Sequence, residues 1–133
     1  MKGKLKMREI KFRGKTKEGK WIYGGIKFDI NRVWIDAAYY GEILVDKKTV
    51  GQYTGLKDKN GREIYEGDIV IDREEEVIGK ITWSEEEASF YFSMLYEDGC
   101  YEEEKLIDWI SELEIVGNIY DNPELLGGSD GRN

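Results

Sequence analysis

Val77-Ile-Gly-Lys-Ile-Thr-Trp83, followed after a short charged stretch by Ser89-Phe-Tyr-Phe-Ser-Met94, decides the fold class. Apolar residues take alternate positions: Val77, Ile81 and Trp83 in the first run, Phe90, Phe92 and Met94 in the second. A period of two puts those side chains on one face of a pleated strand, whereas a helix gathers residues three and four apart. Glu85-Glu-Glu87 then reads as the loop of an antiparallel pair.

The same rhythm extends in both directions. Ile69–Ile71 precedes the pair, and Leu113-Glu-Ile-Val-Gly-Asn-Ile119 follows it with Leu113, Ile115 and Ile119 in phase. Evenly spaced short strands of this kind predict a small antiparallel β-barrel over residues 66–126. Helical spacing is confined to Leu106, Trp109, Ile110 and Leu113, which predicts a helical turn near 106–112. Asn122-Pro-Glu-Leu-Leu126 reads as a second short turn, capped by Asn122 with Pro123 at its first position.

Toward the N-terminus, Ile10 and Phe12 alternate with Glu9, Lys11 and Arg13, and Ile26, Phe28 and Ile30 form a second alternating set. Lys15-Thr-Lys-Glu-Gly19 between them has the polarity and glycine of a hairpin turn. Val33-Trp-Ile35 and Ile43-Leu-Val45 are strands by their shortness and β-branched content. Asn60-Gly61 is a strong turn signal, and the Asp58 carboxylate is expected to hydrogen-bond its backbone. The fold class is therefore mostly β: an N-terminal β region over 7–65 sharing one core with the barrel. Residues 1–6 are expected to be a flexible extension and 127–133 a flexible tail.

The chain has 133 residues, 40% hydrophobic and 13% aromatic, enough large side chains for a packed core despite 36% charged residues. One cysteine, Cys100, excludes an internal disulfide, and no apolar run approaches the roughly 20 residues of a membrane helix. A reducing, cytoplasmic compartment is the expected location. The net charge of −8 hides a division, since residues 1–62 carry 16 Lys/Arg against 7 Asp/Glu and residues 63–133 carry 4 against 21. Opposed halves of +9 and −17 neutralise each other, associate head-to-tail between copies, or serve a charged partner.

Gly51-Gln-Tyr-Thr-Gly-Leu-Lys-Asp-Lys-Asn-Gly-Arg-Glu-Ile-Tyr-Glu-Gly-Asp-Ile-Val70 closely resembles the central motif of the YopX family of phage proteins. Met7-Arg-Glu-Ile-Lys-Phe-Arg13 is similar to that family's start and Leu113-Glu-Ile-Val-Gly-Asn-Ile-Tyr-Asp-Asn-Pro-Glu-Leu-Leu126 to its end. The resemblance implies a phage or prophage origin and an SH3-like character for the barrel. It implies no activity. The motif residues it marks are Gln52, Tyr53, Thr54, Gly55, Leu56, Asp58, Gly61, Glu66, Gly67 and Asp68.

Histidine is absent, which removes Ser-His-Asp and Cys-His catalysis and imidazole metal sites. Cys100 lies among carboxylates that disfavour a thiolate, so it reads as an ordinary thiol. Asp58-Lys-Asn-Gly-Arg-Glu63 lacks the spaced ligands of a calcium loop, and Gly24-Gly25 precedes no helix that would cradle phosphate. Glu74–Glu76, Glu85–Glu87 and Glu102–Glu104 would gather a hard cation only if three loops converged; solvated charge is the plainer reading. No cofactor is expected.

Two surfaces remain. Arg8, Lys11, Arg13, Lys15, Lys17, Lys20 and Lys27 alternate with Phe12, Trp21, Tyr23 and Phe28, a pattern that offers cations to phosphates beside rings that stack on bases. It equally describes a strand with a solvated outer face and buried rings inside. The acid triplets form the contrary surface, suited to a basic protein. Glu66-Gly67-Asp68 is either a functional loop or a tight lead into the strand at Ile69, with Tyr53 and Leu56 packing under that turn. The expected function is that of a non-enzymatic accessory protein binding a host or phage protein through its acidic half, or nucleic acid through its basic half. A carboxylate- and metal-dependent enzyme is the alternative.

Overall fold

Alternation becomes strand along most of the chain. The computed structural model describes residues 8–127; the expected N-terminal extension and all of the tail after Gly127 lie outside them. Within that range 56% of residues are in strands and 6% in short 3-10 turns, so the protein is mostly β. The chain divides into two compact units, Met1–Gly55 and Leu56–Asn133, and each holds its own cluster of buried hydrophobic residues. Ile64 is fully buried in the second cluster, and Leu56 packs against it.

In the first unit, β1 (Phe12–Lys15), β2 (Trp21–Phe28), β3 (Val33–Ala37) and β4 (Gly41–Lys57) are antiparallel neighbours in that order, and β1 also pairs with β4. The β1–β2 hairpin closes over the expected turn, where Thr16 N–H donates to the Lys20 carbonyl at 2.9 Å. Ile22, Ile35, Ala37 and Val45 are buried together, with Phe12, Val33, Ile43 and Val50 packed against them.

Two expectations fail here. The alternation of Glu9 to Arg13 becomes strand only at Phe12; Ile10, before it, is 55% exposed, and Arg13, expected on the outer face, is buried. Phe28 and Ile30 share the parity of the buried Ile22, yet they are 71% and 90% exposed. Phe28 is the last residue of β2 and Ile30 lies in the bend after it, beyond the reach of the sheet's packing. Parity assigns a face; cover has to come from neighbours.

In the second unit the end of β4 turns into β5 (Glu63–Tyr65), and β6 (Asp68–Asp72), β7 (Val77–Ser84), β8 (Ser89–Leu95), β9 (Tyr101–Lys105) and β10 (Glu114–Asn118) form an antiparallel sheet ordered β10-β6-β7-β8-β9. This is an antiparallel sheet with β10 and β9 as its end strands; no ladder closes it into a barrel among the described residues. Val70, Ile81, Phe92, Met94, Leu106, Leu113 and Ile115 make its core with Ile64. The β7–β8 pairing matches the opening pattern, with Ile81 opposite Phe92 and Trp83 opposite Phe90. Gly79 is required by closeness, since a Cβ there would lie 2.1 Å from the Ser93 carbonyl oxygen.

The helical signals survive as 3-10 turns, Leu106–Asp108 and Pro123–Leu126. Leu106 and Leu113 are buried and Trp109 and Ile110 pack beside them, as the spacing indicated. Asn122 does not cap the second turn: its Oδ1 accepts the Asn118 N–H at 3.1 Å instead. β9 had no counterpart in the sequence reading.

Candidate functional site

The basic face of the first unit follows from the β1–β2 register. Arg13 stands opposite Tyr23 and Lys15 opposite Trp21, so these four side chains share one face while Phe12 and Ile22 take the other. The Arg13 guanidinium lies 4.6 Å and the Lys15 ammonium 5.7 Å from the Trp21 ring centre. Such contacts stabilise by roughly 0.5–1 kcal/mol each when exposed. Lys11 is 5.5 Å from the Tyr53 ring and 3.0 Å from the Glu9 carboxylate.

On β2 and β3, Lys27 is 3.1 Å from Glu42 and 5.6 Å from the Trp34 ring, which Arg32 approaches at 5.2 Å. Asp29 holds the β2–β3 bend: its Oδ1 accepts the N–H groups of Asn31 and Arg32, which with the Arg32 charge keeps its carboxyl below the usual value. Trp21 is half-buried and Tyr23 is 47% exposed, while Arg8, Lys17 and Lys20 are exposed. Most cations of this face are thus laid on rings or beside carboxylates of the same unit.

The motif residues build structure. Gln52 stands opposite Phe12, and the buried Tyr53 donates its N–H to the Lys11 carbonyl at 2.9 Å; Thr54 and Gly55 finish this part of β4. Asp58, 5% exposed, accepts three backbone N–H groups: Asn60 and Arg62 on Oδ1, each at 2.9 Å, and Ile115 on Oδ2 at 3.0 Å. Its role in the turn was legible; its bond to a strand 57 residues away was not. Gly61 carries φ of +84° in that turn, a conformation costly for any residue with a Cβ.

Glu66-Gly67-Asp68 is likewise clamped. Asp68 is buried and accepts the Tyr65 N–H at 2.7 Å, Gly67 N–H donates to the Ile81 carbonyl, and Ile119 N–H donates to the Gly67 carbonyl, both at 2.9 Å. Glu66 is half-buried beside them. Of the pair expected under the turn, Leu56 packs on the second core and Tyr53 belongs to the first unit.

The acidic surface belongs to the second unit. Residues 56–127 carry 21 Asp/Glu against 6 Lys/Arg. Glu74–Glu76 sit in the β6–β7 turn and Glu85–Glu87 in the β7–β8 turn, at opposite ends of the eight-residue β7 and so about 25 Å apart at a strand's rise. Glu102–Glu104 lie on β9. The triplets do not converge, and among the described residues no group of three potential ligands is placed to hold a metal ion.

An open groove of about 520 Å³ runs between the β6–β7 and β8–β9 turns, lined by Val77, Leu95 and Tyr96 together with Glu75, Glu76, Glu97 and Asp98. The Tyr96 hydroxyl donates to Glu102, and this bond, partial burial and the charges of Glu102 and Glu104 push the phenol above its ordinary value. Cys100 is exposed, its N–H donating to Asp98 at 2.9 Å.

The three stretches that carried the family resemblance are joined by bonds. The opening segment pairs with Gly51 and Gln52, and the residues from Asp58 to Asp68 are bonded to the closing segment, including Lys59 N–H to the Leu113 carbonyl at 2.9 Å. No curated protein matches the chain. A family model described as YopX protein matches residues 6–127, nearly the whole length, and the chain therefore belongs to the YopX family.

Proposed function

We propose that the protein is a non-enzymatic accessory protein of phage or prophage origin, working in the bacterial cytoplasm, that binds a basic protein through the acidic surface of its second unit. The observation that carries this reading is the contrast in how the two sets of charges are used. On the first unit, Arg13 is buried, and Lys11, Lys27 and Arg32 each stand within 3.3 Å of a carboxylate. On the second, Glu74–Glu76, Glu85–Glu87, Glu97 and Asp98 are exposed, and a net −15 over residues 56–127 raises a field that steers a basic partner. In this reading the β10-β6-β7-β8-β9 sheet is the SH3-like module of the family resemblance, used as a scaffold for charged turns.

Affinity purification from bacterial lysate tests it, with and without nuclease, against a variant carrying E74Q, E75Q, E76Q, E85Q, E86Q and E87Q. A basic protein retained after nuclease and lost with the variant supports the proposal. Material that disappears on nuclease treatment alone assigns the activity to nucleic acid on the basic face, where Tyr23 is exposed on the same strand as Lys27. Millimolar Mg²⁺ or Mn²⁺ should leave the melting temperature unchanged; a rise would favour the metal-dependent alternative.

A further inference from the structure

β9 ends the sheet order, and all five of its residues are exposed. One edge is bonded to β8; the other faces no strand among the described residues and presents a row of backbone donors and acceptors. The register sets Glu102 opposite Met94 and Glu104 opposite Phe92, so both carboxylates lie on the core side of the sheet at its rim. Each is held by a ring donor: Tyr96 O–H donates to Glu102, and Trp109 Nε1–H donates to Glu104 at 2.8 Å. The opposite face differs, with Tyr101 under the Lys80 ammonium at 4.6 Å, Glu103, and Lys105.

We infer that β9 is a docking edge for an extended segment of a basic partner protein with Lys or Arg at every second position, which adds to the sheet as a further strand. The spacing carries the argument. Two carboxylates two residues apart on a strand are about 6.6 Å apart, and an added strand repeats its own same-face side chains at that interval. Alternating cations therefore meet Glu102 and Glu104 one to one, while the same strand keeps its cations away from Lys80 and Lys105. Consecutive cations would put half of their charge on the face those two lysines occupy. A second copy of β9 is rejected, because its glutamates would oppose these glutamates. Charges on an edge commonly blunt it against self-association; here the same charges select what is admitted.

This rests on the proposal that the acidic unit binds a basic protein, and one titration separates the two. The intact chain is titrated by calorimetry with Lys-Thr-Lys-Thr-Lys-Thr-Lys and with Lys-Lys-Lys-Lys-Thr-Thr-Thr, equal in charge and composition. The alternating peptide is expected to bind roughly fivefold tighter, the effect of two cross-strand ion pairs, and to slow amide exchange in residues 101–105. The double variant E102Q/E104Q should erase the preference and E103Q should keep it. Equal binding of the two peptides overturns the docking edge while leaving the acidic surface as a binding face. Failure of both peptides to bind counts against both readings, and concentration-dependent dimerisation through β9 would overturn the choice of a foreign partner.

Discussion

Asp58 shows how much one side chain decides. Its two oxygens take three backbone N–H groups, two in its own turn and one on β10, so Asp58→Ala leaves three donors without an acceptor in a site that is 5% exposed. The expected loss is about 3 kcal/mol, since charge-assisted bonds contribute roughly 1.5–3 kcal/mol and orphaned donors add their desolvation; urea unfolding measures it. The Asn-Gly turn made the local half of this role legible, because Asp before such a turn bonds its backbone. The long-range half depends on which strand folds alongside, and no local pattern encodes that. Arg13 was illegible for the same reason: its parity is correctly opposite to Phe12, but its burial comes from surroundings that alternation does not describe.

A second residue-scale prediction concerns pH. Glu114 accepts the Arg73 Nε–H at 3.0 Å, and this bond, with the nearby Arg73 charge, holds its carboxyl below the ordinary 4.5. Its contribution to stability is complete above the unfolded value and is lost as pH falls through the lower, folded one. Carboxyl-carbon NMR should find Glu114 titrating below 4.5 in the native chain and moving upward in Arg73→Ala. Arg73 is exposed and Glu114 only partly covered, so the effect on overall stability should be slight.

Among elements, the legible ones were those with a buried face. β7 and β8 were read correctly because Ile81, Phe92 and Met94 are nearly inaccessible and alternation records that contact. The prediction at this scale compares the two ends of that pair. Phe92→Ala should cost about 3–5 kcal/mol, as removing a fully buried aromatic does. Trp83→Ala should cost far less, about 1 kcal/mol, because Trp83 is 40% exposed and loses chiefly its edge-to-face contact with Phe90 at 4.9 Å. Thermal or urea unfolding of the two variants checks the contrast, and similar losses would contradict the assigned faces. β9 escaped notice because Tyr101-Glu-Glu-Glu-Lys105 has no apolar alternation; it is a strand by virtue of β8's backbone alone. β4 was read as a short strand at 43–45 because Asp46-Lys-Lys-Thr49 breaks the apolar pattern. Thr49 bridges that break, accepting the Lys15 N–H at 2.8 Å and donating to the Asp46 carbonyl at 2.6 Å.

At the scale of the whole molecule, the division of charge was the most legible property and its use the least. A count along the chain gave its sign and place; which charges are laid on rings and which face water required coordinates. The concentration of 21 carboxylates in residues 56–127 has opposite consequences for folding and for binding. Salt should raise the melting temperature of the protein alone, because screening relieves self-repulsion, and weaken its hold on a basic partner over the same range. Thermal melts and titrations from about 0.05 to 0.5 M salt, across which the Debye length shortens severalfold, check both trends.

The boundary between Gly55 and Leu56 falls inside β4, a single strand from Gly41 to Lys57. A cloning boundary placed there would cut through a strand, and each fragment would end in a raw pleated stub, prone to stick to its neighbours. Anyone dissecting this chain by truncation should expect inclusion bodies from such halves and should neutralise individual surfaces by substitution instead.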